Sequence, residues 1–298
     1  MEYVKLSNDI SLSRVIQGMM RIMPSEFSVD ELVSFMEQCI AIGVTTFDTA
    51  EIYGQYENEA FIGEALKRKP SLRKQIQLVT KTGINMKSPN RTYKFGHYDT
   101  TYEKIVSSCR KSVENLHCGY IDLFLIHRED PLLDPYEVTR ALEDLTKEGL
   151  IKGYGVSNFD PFKFEAVQHA SKGKVLTNQI EVSPACFEHF KSGMIDTLLK
   201  YQVAPMIWSP LAGGRIHKSE EEPYKAIRTK AQEIANNHGE TLDTILYAWL
   251  LYHPMRALPI SGSTKIARLK QAVRALDVRL TQEEWFEIYL ASKENVLR

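Results

Sequence analysis

The amino-acid sequence predicts a single α/β domain over residues 1–298, a (β/α)8 barrel of the TIM type. Short β-branched and aliphatic runs alternate with longer helical patterns along the whole chain, as a parallel sheet with crossover helices requires. There are eight such runs, and 298 residues is an ordinary length for one barrel domain. No linker, repeat or low-complexity stretch indicates a domain boundary.

Each predicted strand is a short apolar run, and a helical pattern follows it before the next run begins. The eight predicted strands are residues 13–18, 45–48, 76–81, 121–127, 153–157, 175–180, 204–209 and 257–261. Two intervals are longer than ordinary connections between a strand and a helix, namely residues 83–98 and 211–222.

Helix start signals lie between these runs, and the segment 241–252 is apolar nearly all round, which predicts a buried helix. Side chains typical of N-caps and capping boxes precede the other helices. They are Ser28 with Glu31, one of Asp99, Thr100 and Thr101, Asp134 and Asp160 (each followed by proline), and Thr281 with Glu284.

Composition excludes several classes of function. The formal net charge is -1 and the charges are spread along the chain, so we expect neither a nucleic-acid nor a membrane partner. The four cysteines form no C-x-x-C pair and are expected to be reduced packing residues. The N-terminus lacks the apolar stretch of a signal peptide, and no segment is apolar enough to span a bilayer, so we expect a cytoplasmic protein.

Polar residues end most of the predicted strands. In a barrel of this kind the carboxyl ends of the strands form the active-site face. The residues at these ends are Gly18, Asp48, Lys81, His127, Ser157 with Asn158, Gln179, Trp208 with Ser209, and Ser261.

Four side chains form a coherent catalytic set. A lysine ammonium beside a tyrosine favours the tyrosinate, so we expect Lys81 to lower the pKa of Tyr53. Asp48 would pair with Lys81, and His127 would donate a hydrogen bond to a carbonyl oxygen. Each residue also has a purely structural interpretation, such as a helix cap, a solvated lysine or a packed core histidine.

Seven motifs carry a resemblance to the aldo-keto reductases, and closest of all to bacterial oxidoreductases of that superfamily with no assigned substrate. Together they cover almost the whole chain. They are FDTAEIYG at 47–54, LVTK at 78–81, DLFLIH at 122–127, GVSNF at 155–159, NQIE at 178–181, WSPLAGG at 208–214 and PISGSTKIARLKQA at 259–272.

The resemblance implies carbonyl reduction with NADPH as cofactor and Asp48, Tyr53, Lys81 and His127 as the catalytic tetrad, without a metal. It also implies the cofactor-binding residues. These are Ser157, Asn158 and Gln179 on the nicotinamide carboxamide, Trp208 stacked on its ring, Ser209, Leu211 and Gly213 over the pyrophosphate, and Ser261, Gly262, Ser263, Thr264, Lys265 and Arg268 on the adenosine phosphate. Hydroxyls and two cations at a helix start are also what an additional phosphate requires.

Alternatives remain open at this point. The chain could be an NADP-binding regulatory module with little turnover, or an aldolase with Lys81 as a Schiff-base lysine. Lys265 and Arg268 could be solvated residues of a capped helix. A metal hydrolase is disfavoured because His-x-His and His-Glu-x-x-His arrangements are absent from the sequence.

The substrate is expected to be a small carbonyl compound, selected by residues 19–27, 83–98 and 128–135 and by the loop after Trp208. The chain ends soon after the helix that begins at Thr281, so we expect a fairly open pocket. Arg128 has two interpretations: it attracts acidic substrates, or it forms an ion pair with Glu129 or Asp130.

Overall fold

A computed structural model describes residues 1–23 and 26–293 of the chain. Eight parallel strands close into a barrel, in the order β10-β11-β12-β3-β4-β5-β8-β9. All eight predicted strands are present, and the (β/α)8 prediction is confirmed. The barrel strands are β3 (Ile16–Gly18), β4 (Thr46–Asp48), β5 (Gln77–Thr82), β8 (Leu123–Ile126), β9 (Tyr154–Ser157), β10 (Val175–Glu181), β11 (Met206–Trp208) and β12 (Leu258–Ser261).

Helices follow the barrel strands and form the outer layer. Every predicted N-cap begins a helix, and Thr101 is the cap among the three candidates in its region. The helices are α1 (Val29–Ala41), α2 (Asn58–Arg68), α3 (Tyr102–Asn115), α4 (Pro135–Lys147), α5 (Pro161–Ala170), α6 (Glu188–Lys191), α7 (Met194–Tyr201), α8 (Arg215–Lys218), α9 (Tyr224–His238), α10 (Leu242–Tyr252), α11 (Ile266–Arg274) and α12 (Gln282–Ala291).

Buried apolar side chains form two cores because successive residues of a strand point to opposite faces of the sheet. The larger core lies between the strands and the helices and includes Phe47 and Phe124. The smaller core fills the barrel interior with residues such as Leu12, Val79 and Leu125. The interior is therefore packed with side chains, and a site can form only at an end of the barrel.

The first predicted strand, residues 13–18, begins too early. Ser13 ends β2 (Ser11–Ser13), which pairs antiparallel with β1 (Tyr3–Lys5). Leu12 of this hairpin is fully buried in the barrel interior. The hairpin thus covers the amino-terminal end of the barrel, opposite the predicted active-site face.

The two long intervals contain regular structure that the sequence did not predict. Within residues 83–98, β6 (Ile84–Asn85) pairs with β7 (His97–Tyr98). Within residues 211–222 lie a short 3-10 helix and α8. Both intervals follow carboxyl ends of strands. Of the predicted substrate loop 19–27, residues 24–25 lie outside the described residues, as do residues 294–298 of the domain.

The four cysteines are free thiols, as predicted. Burial raises the pKa of Cys39 and Cys109 to about 12, so neither is reactive at neutral pH. In the described ranges, no helix combines the length and apolarity needed to cross a membrane.

Candidate active site

A cavity of about 410 Å³ opens at the carboxyl ends of the barrel strands. Its wall contains three of the predicted catalytic residues and eleven of the thirteen predicted cofactor residues. The predicted residues that line it are Asp48, Tyr53, His127, Ser157, Asn158, Gln179, Trp208, Ser209, Leu211, Gly213, Ser261, Gly262, Ser263 and Arg268. Segments far apart in sequence thus meet at one opening.

Lys81 is the fourth catalytic candidate and lies behind the cavity wall. Its side chain is 0% exposed, and its Nζ donates to Asp48 Oδ2 at 2.8 Å and to the Thr49 carbonyl at 2.6 Å. Burial acts to lower the pKa of Lys81, but the Asp48 carboxylate and Tyr53 outweigh it and raise the pKa. Gln179 Nε2 donates to the other Asp48 oxygen at 2.8 Å. Lys81 is therefore held in place by its hydrogen bonds and is a charged ammonium at neutral pH.

Tyr53 begins a short 3-10 helix just after β4, and this turn places its ring beside Lys81 and His127. The Lys81 Nζ lies 5.2 Å from the centre of the Tyr53 ring, so the ammonium acts directly on the phenol. Burial raises the pKa of Tyr53, although Lys81 acts in the opposite direction. The expectation of a lowered pKa is therefore wrong, because desolvation of the phenolate exceeds the attraction of the ammonium. Tyr53 is a protonated phenol at neutral pH.

His127 follows β8 and makes an edge-on contact with Tyr53, with 6.0 Å between ring centres. Burial, with smaller contributions from Lys81 and Arg128, holds the pKa of His127 well below its usual range. The imidazole is thus neutral at pH 7. Its Nδ1 is buried and has no hydrogen-bond partner among the described residues.

Polar side chains at the ends of β9, β10 and β11 form one hydrogen-bonded network. Trp208 Nε1 donates to Asn158 Oδ1 at 2.9 Å, which fixes the indole at the cavity wall. Asn158 Nδ2 donates to Ser157 Oγ at 2.8 Å, and Ser157 Oγ donates to the Gln179 carbonyl at 2.9 Å. The predicted carboxamide site and the predicted stacking aromatic are therefore held as one rigid unit.

The far wall of the cavity comprises Ser261, Gly262, Ser263 and Arg268, at the end of β12 and in α11. No described side chain caps the start of α11, so the helix N-terminus is open to an anion. Thr264 and Lys265 follow Ser263 directly and are not among the residues that line the cavity, so their predicted contact with the adenosine phosphate stays a prediction.

Sequence reasoning missed a histidine–aspartate pair in the same wall. His217 Nε2 lies 2.6 Å from Asp243 Oδ1, and both residues line the cavity. Tyr247, one turn after Asp243 in α10, lines it too. Burial raises the pKa of Tyr247 to about 12, although Ser261 and Arg268 act in the opposite direction. No motif marks these residues, because their helices meet only in the folded barrel.

The model of the aldo/keto reductase family matches residues 14–292. The chain belongs to the aldo/keto reductase family. It is 40% identical to the uncharacterized oxidoreductase YcsN of Bacillus subtilis, over 98% of both chains. It is 38% identical to a 6-dehydroglucose reductase of Agrobacterium fabrum, over 97% of both chains.

Among solved structures, the thermostable aldo-keto reductase Tm1743, crystallised with the inhibitor epalrestat, superposes with a TM-score of 0.82 at 26% identity. The match covers 98% of this chain and 100% of that one. The family, its reductase members and this likeness identify the chain as an NAD(P)H-dependent oxidoreductase that reduces carbonyl groups of small molecules.

Proposed function

We propose that this enzyme reduces aldehydes and ketones to alcohols with NADPH, and that Tyr53 is the proton donor. The observation that carries the proposal is the buried Asp48–Lys81 pair directly behind Tyr53, with neutral His127 beside it in the cavity wall. An Asp48–Lys81 pair with a purely structural role would not require a phenol and an imidazole between it and the cavity.

The residues present fit NADPH. The network of Ser157, Asn158 and Gln179 offers amide and hydroxyl groups to a carboxamide, and the Trp208 ring offers a stacking face. At the far wall, the open start of α11 and the exposed Arg268 suit the phosphate that distinguishes NADPH from NADH. NADPH would supply the hydride that no side chain provides.

The chain's own residues then carry out the proton chemistry. His127 is neutral, so one ring nitrogen can donate a hydrogen bond to the substrate carbonyl and orient it. Tyr53 delivers its hydroxyl proton to the carbonyl oxygen as that oxygen gains negative charge. Lys81 stabilises the resulting tyrosinate, and Asp48 keeps Lys81 charged and in place.

The Schiff-base alternative conflicts with the geometry of Lys81. Its Nζ is fully buried, hydrogen-bonded to Asp48 and Thr49, and held protonated, whereas a Schiff-base lysine must be a free amine that reaches the substrate. The Lys81 side chain instead supports Tyr53 from behind.

Oxidation of NADPH, followed by its absorbance with a panel of aromatic aldehydes, small dicarbonyls and aldehyde sugars, tests the proposal. The sugars are included because one relative is named a 6-dehydroglucose reductase. We expect turnover with several carbonyls and a lower Kd for NADPH than for NADH. Tight NADPH binding with negligible turnover across the panel would instead favour a regulatory module.

A further inference from the structure

We infer that Arg128 binds an anionic group of the substrate, so that this enzyme prefers carbonyl compounds that carry a carboxylate. The inference rests on the proposed function and adds a substrate class to it. Arg128 directly follows His127, lines the cavity and is half-buried there. The substrate carbonyl and its anionic group would therefore contact two consecutive residues.

The two acidic neighbours of Arg128 in the sequence are engaged elsewhere. Glu129 accepts a hydrogen bond from the Asp160 amide at 3.1 Å and lies 4.0 Å from Lys163 Nζ. Asp130 accepts hydrogen bonds from Thr100 Oγ1 at 3.0 Å and from the Leu132 amide at 2.8 Å. Of the two interpretations that the sequence left open, the local ion pair is therefore absent.

The acids that share the cavity are also committed. Asp48 pairs with Lys81, and Asp243 pairs with His217. Glu181 also interacts electrostatically with Arg128. Burial raises the pKa of Glu181, against the weaker effects of Arg215 and Arg128. Among the described residues, no carboxylate lies within ion-pair distance of the Arg128 guanidinium.

Arg128 lies beside the reaction site. Its guanidinium carbon is 6.0 Å from the centre of the Trp208 ring, and Arg128 lines the same cavity as Trp208 and His127. The charge of Arg128 is close enough to act on both Tyr53 and His127, where it favours the uncharged imidazole and the tyrosinate. Arg128 is thus a cation beside the reacting groups that has no ion-pair partner among the described residues, and Glu181 acts on it only at longer range.

A carboxylate is the group that this arrangement suits. A guanidinium offers two parallel N–H donors that match the two carboxylate oxygens, and partial burial strengthens the pair. The apolar side chains of Met20, Ile52 and Ile84 line the same cavity and can contact the carbon skeleton between the two polar ends. The proposed substrate is therefore an aldehyde or ketone with a short apolar body and a terminal carboxylate.

A matched pair of substrates tests this inference. We would measure kcat/KM for 4-carboxybenzaldehyde and for 4-carbamoylbenzaldehyde, which has nearly the same shape and no charge. The wild type should prefer the carboxylate about tenfold, since a charged hydrogen bond in a half-open site contributes that much. Arg128→Gln should remove the preference, because kcat/KM for the carboxylate falls about tenfold more than kcat/KM for the amide. Arg128→Lys should retain part of it.

The control is Arg110→Gln, which removes an exposed arginine paired with Glu148 on the outer helices and should keep the full preference. A wild type that reduces both aldehydes without preference would overturn the inference and leave the proposed function standing. An equal loss of kcat/KM for both substrates in Arg128→Gln would also overturn the inference. So would a higher Kd for NADPH in that variant than in the wild type, measured by fluorescence titration. Absence of turnover with every carbonyl would refute the proposed function itself.

Discussion

The cavity has two ends that are built on different physical principles. At the reaction end, Asp48 and Lys81 form a pair whose side chains are 4% and 0% exposed. At the far end, Ser263 and Arg268 lie at the open start of α11 and retain contact with solvent. Under the proposed function, the rigid, desolvated charges would serve the chemistry and the accessible donors would bind the cofactor, so mutations at the two ends should have different effects.

The largest effect should come from Tyr53→Phe. Loss of the proton donor should reduce kcat by about 10²–10⁴-fold, because general acid catalysis contributes that much. The Kd of NADPH, measured by quenching of tryptophan fluorescence, should stay within about twofold. Tyr56→Phe is the matched control, since the Tyr56 hydroxyl bonds to the Met86 backbone outside the cavity wall. Wild-type activity in Tyr53→Phe would disprove the assignment.

Lys81→Met should affect stability as well as turnover. It leaves the Asp48 carboxylate buried without its cation, which costs about 3–5 kcal/mol in the free energy of unfolding. Urea denaturation measures this loss. The double variant Asp48→Asn, Lys81→Met should recover part of the lost free energy of unfolding, because neither side chain of the pair is then charged. A double variant no more stable than Lys81→Met would show that the pair is not what stabilises the reaction end.

Glu59 is a buried carboxylate beside β5 and forms no ion pair with any described residue. It accepts a hydrogen bond from Thr80 Oγ1 at 2.6 Å, and burial raises its pKa to about 7. Between its ordinary pKa and about 7, the folded state holds a proton that the unfolded state has lost, so this residue makes stability fall as pH rises.

Glu59→Gln should remove that slope and increase the free energy of unfolding at pH 8 by up to about 3 kcal/mol, since one pKa unit corresponds to about 1.4 kcal/mol. Below pH 4.5 the substitution should not increase the free energy of unfolding, because Glu59 is then protonated in both the folded and the unfolded state. Urea titrations of both proteins at pH 4.5, 6 and 8 measure the difference. A difference that does not grow with pH would contradict the raised pKa.

The smallest effect should be confined to the far end. Arg268→Gln should raise the Kd of NADPH about tenfold and leave the Kd of NADH unchanged, because only NADPH carries the additional phosphate. Arg274→Gln, on the same helix but paired with Glu240, is the control. Equal shifts for both cofactors would show that Arg268 does not recognise that phosphate.

Strands and helix starts follow from local sequence signals, and these were the most predictable parts of the fold. Alternation of apolar runs located all eight barrel strands, and side-chain caps such as Ser28 and Thr281 located the helices. The hairpin of β1 and β2 was missed because neither strand contains an apolar run: Val4 and Leu12 each stand between polar or exposed residues. A single buried apolar residue does not distinguish a strand from a loop.

The site was predictable where a motif ends a strand, and less so elsewhere. Asp48 and His127 reach the cavity because parallel strands end at one face. His217 and Asp243 were missed because their contact depends on how two helices pack. The pKa of Tyr53 was predicted in the wrong direction because a sequence shows neighbouring charges but not the extent of burial.

Transfer of a label from the cofactor to the product tests the central claim most directly. The enzyme would be supplied with a reducible aldehyde and with NADPH that carries deuterium on either face of nicotinamide C4. One labelled form should give an alcohol with deuterium on the former carbonyl carbon, and the other should give none. An alcohol without deuterium from either form would contradict direct reduction in this cavity.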